Sequence, residues 1–183
     1  MRARQILIYP FILASASFAG VLHPMVADDY TAEMGRATAH FDVPRGWRAL
    51  PIARRTPHHA TLVYVNPRNK HLKVAVSLDF YHIHSFETDK TQQGCADDYL
   101  DGVQRHADPD VEMDIVSTFQ SGRNGAVNIY RCHSEYWREG WTVFIVKGDY
   151  EVQIEVYAHD FAGTAQFAGY LRAVADGVSI DGV

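Results

Sequence analysis

The stretch Leu72-Lys73-Val74-Ala75-Val76-Ser77-Leu78-Asp79-Phe80-Tyr81 alternates without a break. Leu72, Val74, Val76, Leu78 and Phe80 share one side, and Lys73, Ala75, Ser77, Asp79 and Tyr81 share the other. Residues two apart in a strand point the same way, so this pattern reads as a half-buried strand. Residues 60–65 before it are β-branched and aromatic, and Asn66-Pro67-Arg68-Asn69 between the two runs is a turn tetrad with Pro at its second position. The spacing therefore predicts a β-hairpin. The same signature returns at the other end of the chain, where Tyr150, Val152, Ile154 and Val156 alternate with Glu151, Gln153, Glu155 and Tyr157.

Working outward, the period switches twice. Ala96, Tyr99, Leu100 and Val103 fall at i, i+3, i+4 and i+7, which predicts an amphipathic helix. Thr91 or Asp89 caps its start, and Asp108-Pro109 ends it. Phe161, Ala165, Ala168, Leu171 and Val174 give a second helix, with Asp160 as its cap and Gly177 at its end. Between the helices, strands are expected after Asp110, separated by turns at Gly122-Arg123-Asn124-Gly125, Arg138-Glu139-Gly140 and Gly148-Asp149. Residues 28–38 show no periodicity and read as a short lead-in to a first strand at His40-Phe41-Asp42-Val43. A short closing strand covers Val178 to Ile180. Strands joined by short turns form antiparallel sheets. The expected architecture is one α+β domain over residues 28–183, an antiparallel β-sheet with two main helices packed on it.

Residues 1–27 read as a secretory signal peptide. Arg2 and Arg4 precede an apolar stretch, Ile6 to Leu13, and small residues follow, with cleavage expected near 16, 19 or 27. The uncharged run from Ile6 to Leu22 holds Pro10 and is short for a spanning helix, which takes about 20 apolar residues. A periplasmic or secreted location is expected, with no stable membrane span after processing. In an oxidising compartment the only two cysteines, Cys95 and Cys132, are expected to form a disulfide worth about 3–4 kcal/mol.

The opening of the mature chain, Phe41-Asp42-Val43-Pro44-x-Gly46-Trp47, resembles that of the PsbP-like superfamily, which includes bacterial DcrB-like envelope proteins. So does its close, a meander ending in Tyr150 to Ala158 and a helix with Phe167, Leu171 and Val174 running into Val178-Ser179-Ile180. The resemblance spans about residues 38–181. It implies a PsbP-like α/β sandwich, and a binding or accessory protein rather than an enzyme. The oxygen-evolving role of the plant members does not carry over, because nothing in this chain speaks for a photosystem partner.

The 183 residues carry 17 Lys+Arg against 22 Asp+Glu, a formal charge of −5 that becomes −7 once Arg2 and Arg4 leave with the leader. An acidic balance argues against nucleic-acid binding, which needs a basic surface. No nucleophile elbow, zinc-protease motif or phosphate-binding loop is present, so no catalytic residues, cofactor or metal are expected. Two weaker constellations compete: His82-Ile83-His84 with Glu87 as metal ligands, and His106, Asp108 and Ser134 meeting in space. Either would make the chain a small envelope hydrolase or metal-dependent enzyme.

The charge is segregated. Arg36, Arg45, Arg48, Arg54, Arg55, Arg68, Lys70 and Lys73 crowd one segment with Asp42 alone, while Asp97, Asp98, Asp101, Asp108, Asp110, Glu112 and Asp114 crowd another with Arg105 alone. Such fields steer charged partners. Asp97, Asp98 and Asp101 are therefore expected to bind a protein partner, joined by Trp137, Arg138 and Trp141, residue types that anchor interfaces. The partner is an envelope protein, or a secreted toxin that this chain blocks as an immunity protein. The oligomeric state is open.

Overall fold

A computed structural model describes residues 29–44, 46–50, 58–65, 73–83, 89–135, 140–157 and 164–183. In chain order the elements are β1 (Asp29–Met34), β2 (Ala37–Asp42), β3 (Trp47–Leu50), β4 (His59–Val65), β5 (Lys73–His82), α1 (Gln92–His106), β6 (Glu112–Ser121), β7 (Gly125–His133), β8 (Gly140–Lys147), β9 (Tyr150–Tyr157), α2 (Thr164–Ala175) and β10 (Val178–Asp181). The long strand read from the alternating stretch is β5, and it pairs with β4 as the expected hairpin, Leu62 opposite Val76. On its other side it pairs with β9, Leu78 opposite Ile154. The seven-stranded antiparallel sheet runs β3-β4-β5-β9-β8-β7-β6, so β5 and β9, the two cleanest alternations in the sequence, lie side by side near its middle.

Alternation decides what each face of that sheet meets. Val76, Leu78 and Phe80 of β5 and Val152, Ile154 and Val156 of β9 are fully buried. They form the main core with Val143 and Ile145 of β8 and with Phe167, Leu171 and Val174 of α2. Each such side chain contributes about 1.5–3 kcal/mol on burial. The opposite face carries α1, where Tyr130 and Phe144 pack with Cys95, Ala96 and Ile83, and Cys132 packs with Val103 and Val111. The α+β class expected from the sequence is the class found.

The lead-in is not a lead-in. Residues 29–42 form a hairpin, β1–β2, and β10 adds to β2 from its other side to make a second, three-stranded sheet. Gly35 turns the hairpin with φ +63°, a left-handed conformation that suits glycine. The pattern was masked because alanines carry the inward face: Ala32, Ala37 and Ala39 are buried beside Phe41. A single methyl group gives almost no hydropathy contrast. The small sheet closes over the same core as α2.

Residues 1–28, the expected leader, lie outside the described residues. No helix among the described residues is long and apolar enough to cross a membrane.

Candidate functional site

Helix α1 begins where expected. Thr91 is its N-cap, with the Gly94 N–H donating to Thr91 Oγ1 at 3.1 Å. Cys95, Ala96 and Val103 turn inward, with Tyr99 and Leu100 half-buried at the margin. The remaining face is left to Asp97, Asp98 and Asp101, all exposed. Gln93 Nε2 donates to Asp97 Oδ1 at 2.8 Å, and Asp101 pairs with Arg105 one turn on.

The chain then turns into β6 through Asp108. Its carboxylate is buried, accepting from the Asp110 N–H at 3.0 Å and from the Ser134 hydroxyl. Asp108 therefore leaves the acidic surface and ties the start of β6 to the end of β7. Two members of the His106, Asp108 and Ser134 constellation do meet, but their contact is a hydroxyl donating to a carboxylate, and His106 is exposed at the end of α1.

Strand β6 is the edge of the large sheet, beside α1, and its pairing with β7 slips between Ile115 and Ser117, a bulge at Val116. Ile115 is 51% exposed, one of the few large apolar side chains left in water. Along the strand it falls in step with Val111, which is buried, and Met113, which is half-buried. At the sheet edge, however, nothing among the described residues covers it fully.

Between α1 and β6 lies a cleft of about 280 Å³, walled by Asp97 and Leu100 on one side and by Met113, Asp114 and Ile115 on the other, with Tyr130 at its base. Asp114 accepts from His133 Nε2 at 2.9 Å, and that hydrogen bond holds its carboxyl below the ordinary 3.8. Arg131 stands 3.7 Å away. Burial pushes the Tyr130 phenol up, and the Asp97 charge adds to the effect, against a hydrogen bond from Asn128. The arrangement places negative charge beside an apolar base on a strand edge.

Of the residues expected to bind, Asp97 lines this cleft, and Asp98 and Asp101 share the exposed face of its helix. Trp141 does not belong to any surface. It is 2% exposed and stacks on Phe167 of α2, ring centroids 4.5 Å apart and 20° between planes. The strand that carries it is central and apolar on both faces, so the indole fills the core. Trp137 and Arg138 lie outside the described residues, as do Glu87, His84 and most of the basic segment. His82 packs edge-on against Tyr150, centroids 4.8 Å apart. No group of three His, Cys, Asp or Glu among the described residues is placed to hold a metal.

The expected disulfide is not formed: Cys95 and Cys132 are separate buried thiols. Cys132 packs at the level of Val103, eight residues after Cys95 on α1 and about 12 Å along the helix axis. Cys95 sits instead over Tyr130 and Phe144. A bridge needs Cα atoms about 4.4–6.8 Å apart. Burial pushes the Cys132 thiol up to about 12, so it is also a poor nucleophile.

A second crevice, of about 170 Å³, lies between the start of α1, the β6–β7 turn and the end of β8, near Arg123 and Lys147. Both cations are already engaged. Arg123 pairs with Asp42, and Lys147 donates to the Ile180 carbonyl at 2.6 Å. These contacts fasten the small sheet to the large one.

Sequence reasoning missed Ile115 and the Asp114–His133 pair. The available signal was the acids Glu112 and Asp114 flanking an apolar strand position, a pattern that marks sheet edges.

Comparison with solved structures returns LpqN, described as involved in cell envelope biogenesis of Mycobacterium tuberculosis, at a TM-score of 0.50 and 17% identity, covering 83% of this chain and 90% of that one. This chain has the LpqN fold. The solution structure of cyanobacterial PsbP (CyanoP) from Synechocystis sp. PCC 6803 aligns at a TM-score of 0.49 and 14% identity, over 92% of this chain and 99% of that one. No family model matches the sequence, and no curated protein matches it. The LpqN likeness extends to the fold and leaves the cleft to be interpreted from its own residues.

Proposed function

We propose that this chain is an exported, non-catalytic accessory protein of the cell envelope that works by protein–protein contact through the α1–β6 face. The observation that carries the reading is the cleft itself, where Asp97 and Asp114 rim an apolar base beside the half-exposed Ile115. Exposed acids around a small apolar centre match the anatomy of a recognition patch, with charge setting approach and apolar contact setting residence. Export is supported by the composition of residues 1–27, and an envelope role by the use of the same fold in LpqN.

The test is capture from an envelope extract by the protein as the cell processes it, beside a variant with Asp97→Lys, Asp98→Lys and Asp101→Lys. The variant is expected to capture the same partner at least about tenfold more weakly, a change of about 1.4 kcal/mol, with the loss falling on the association rate and growing at low salt. Undiminished capture would sink the reading.

An immunity protein uses the same surface differently, its acidic face occluding the basic groove of a secreted toxin. Inhibition of a toxin by the wild-type protein, lost in the charge-reversed variant, would select that reading. A metal-dependent hydrolase would instead lose its activity in a His82→Ala/His84→Ala variant of unchanged fold.

A further inference from the structure

We infer that the outer edge of β6 is a strand-pairing site for an extended basic segment of the partner protein. This deepens the accessory reading by naming the partner's chemistry and its mode of attachment. Three observations meet at this edge. First, β6 ends the seven-stranded sheet, and no strand among the described residues pairs with its outer side. An unpaired edge presents a row of backbone N–H and C=O groups to any strand that comes alongside. Second, the side chains beside that edge on the α1 face are apolar, Ile115 half in water and Met113 and Leu100 lining the cleft. Alternate side chains of an added strand would fall against them, because residues two apart share a face.

Third, the charge selects the occupant. Asp97, Asp101, Asp110, Glu112 and Asp114 surround the edge, and all are exposed. Among the described basic side chains nearby, Arg105 pairs with Asp101, and Arg131 and His133 contact Asp114. A second copy of this chain is disfavoured at the same place. Two β6 edges brought together would oppose one acidic rim to another, and like charges across strands destabilise pairing. The bulge at Val116 limits a regular ladder to the stretches on either side of it, whatever strand is added. A basic strand escapes the charge conflict, since its lysines or arginines pair with the acids while its apolar residues enter the cleft.

The probe is a ten-residue peptide of alternating lysine and valine, compared with its glutamate–valine counterpart and with a helix-forming peptide of alanine and lysine carrying the same charge. Binding is followed by fluorescence anisotropy, and its place by amide hydrogen exchange, on the protein as the cell processes it. The lysine–valine peptide is expected to bind with added protection across residues 112–121, to weaken as salt rises, and to lose about tenfold in affinity on Ile115→Lys. Ile115→Thr, which keeps a β-branched side chain at a half-exposed position, is expected to fold normally and to lose affinity in the same direction by a smaller factor.

Equal binding of the helical peptide would overturn the inference, because charge alone would then suffice. Protection appearing elsewhere would overturn it too, as would affinity indifferent to both Ile115 variants. A dimer in sedimentation that Ile115→Lys dissociates would assign the edge to a second copy instead. If an envelope partner is captured at full strength by Ile115→Lys yet lost on reversal of Asp97, Asp98 and Asp101, the accessory reading stands and strand pairing falls.

Discussion

Trp141→Ala separates a core indole from a surface one, because the two positions differ in cost by several kcal/mol. The side chain is 2% exposed, stands between Arg131 of β7 and Val156 of β9, and stacks on Phe167. Aromatic side chains bury about 150–250 Å² each. At about 25 cal/mol per Å² that is roughly 4–6 kcal/mol, an upper bound because the unfolded chain already hides part of the ring. Measured truncations of buried Phe and Trp cost about 3–5 kcal/mol, so about 4 kcal/mol is expected. Domains of this kind have about 5–15 kcal/mol in hand, so the variant still folds. In urea, with a slope of about 2 kcal/mol per M, the midpoint should fall by about 2 M at unchanged slope. A cycle of Trp141→Leu with Phe167→Leu should return a coupling of about 0.5–1.5 kcal/mol from the ring stack. A midpoint within about 0.25 M of wild type would refute the packing argument and return Trp141 to the interface.

Other outcomes follow from single contacts. Gly94→Ala places a Cβ 1.9 Å from the Asp89 carbonyl oxygen, so the start of α1 must shift, and thermal unfolding should show a loss of about 1–3 kcal/mol despite alanine's better helix propensity. Cys95 and Cys132 should both titrate as free thiols with a disulfide-forming reagent in urea, stay unreactive in the native state at pH 8, and migrate identically with and without reductant. Asn124→Ala removes the amide that donates to the Ala175 carbonyl at 3.2 Å and the Val178 carbonyl at 2.9 Å, and should cost about 1–3 kcal/mol in urea unfolding. Asp149 is held below its ordinary 3.8 chiefly by the hydrogen bond and charge of Lys90. A lowered carboxyl stabilises the fold above its unfolded value and ceases to do so as pH falls through its folded one. Lys90→Ala should raise the Asp149 carboxyl toward 3.8 by NMR titration, and any stability gap from wild type should vanish in acid.

Strands with full-sized apolar residues were legible at the level of single residues. In β5 and β9, apolar residues alternate with polar ones, and Val76, Leu78 and Phe80 with Tyr150, Val152, Ile154 and Val156 are buried as the period assigns. The hairpin β1–β2 was hidden because its inward face is built of Ala32, Ala37 and Ala39, which fit under Phe41 without marking themselves as apolar. Burial of Trp141 was hidden for the opposite reason. An aromatic next to a polar turn looks like an interface anchor until the sheet order puts its strand between β7 and β9. The acids of α1 were read correctly as exposed, since helical spacing alone assigns them the outer face. Asp108 was not, because the hydroxyl that satisfies it comes from Ser134, far along the chain. Edge position is a property of sheet order, which local pattern does not encode, and so the role of Ile115 emerged only with the topology.

The small sheet has a kinetic consequence. Strand β2 is held between β1 and β10, with Phe41 opposite Tyr30 on one side and Val178 on the other. The first half of that sheet is therefore available early in synthesis, and the second only after Val178–Asp181 has been made. Until then one edge of β2 lacks its partner, and Val178 and Ile180 are missing from the core. Non-local closure of this kind slows folding and couples the ends of the chain in one cooperative event. If the chain is exported as proposed, that delay would keep it from closing before it has crossed the membrane.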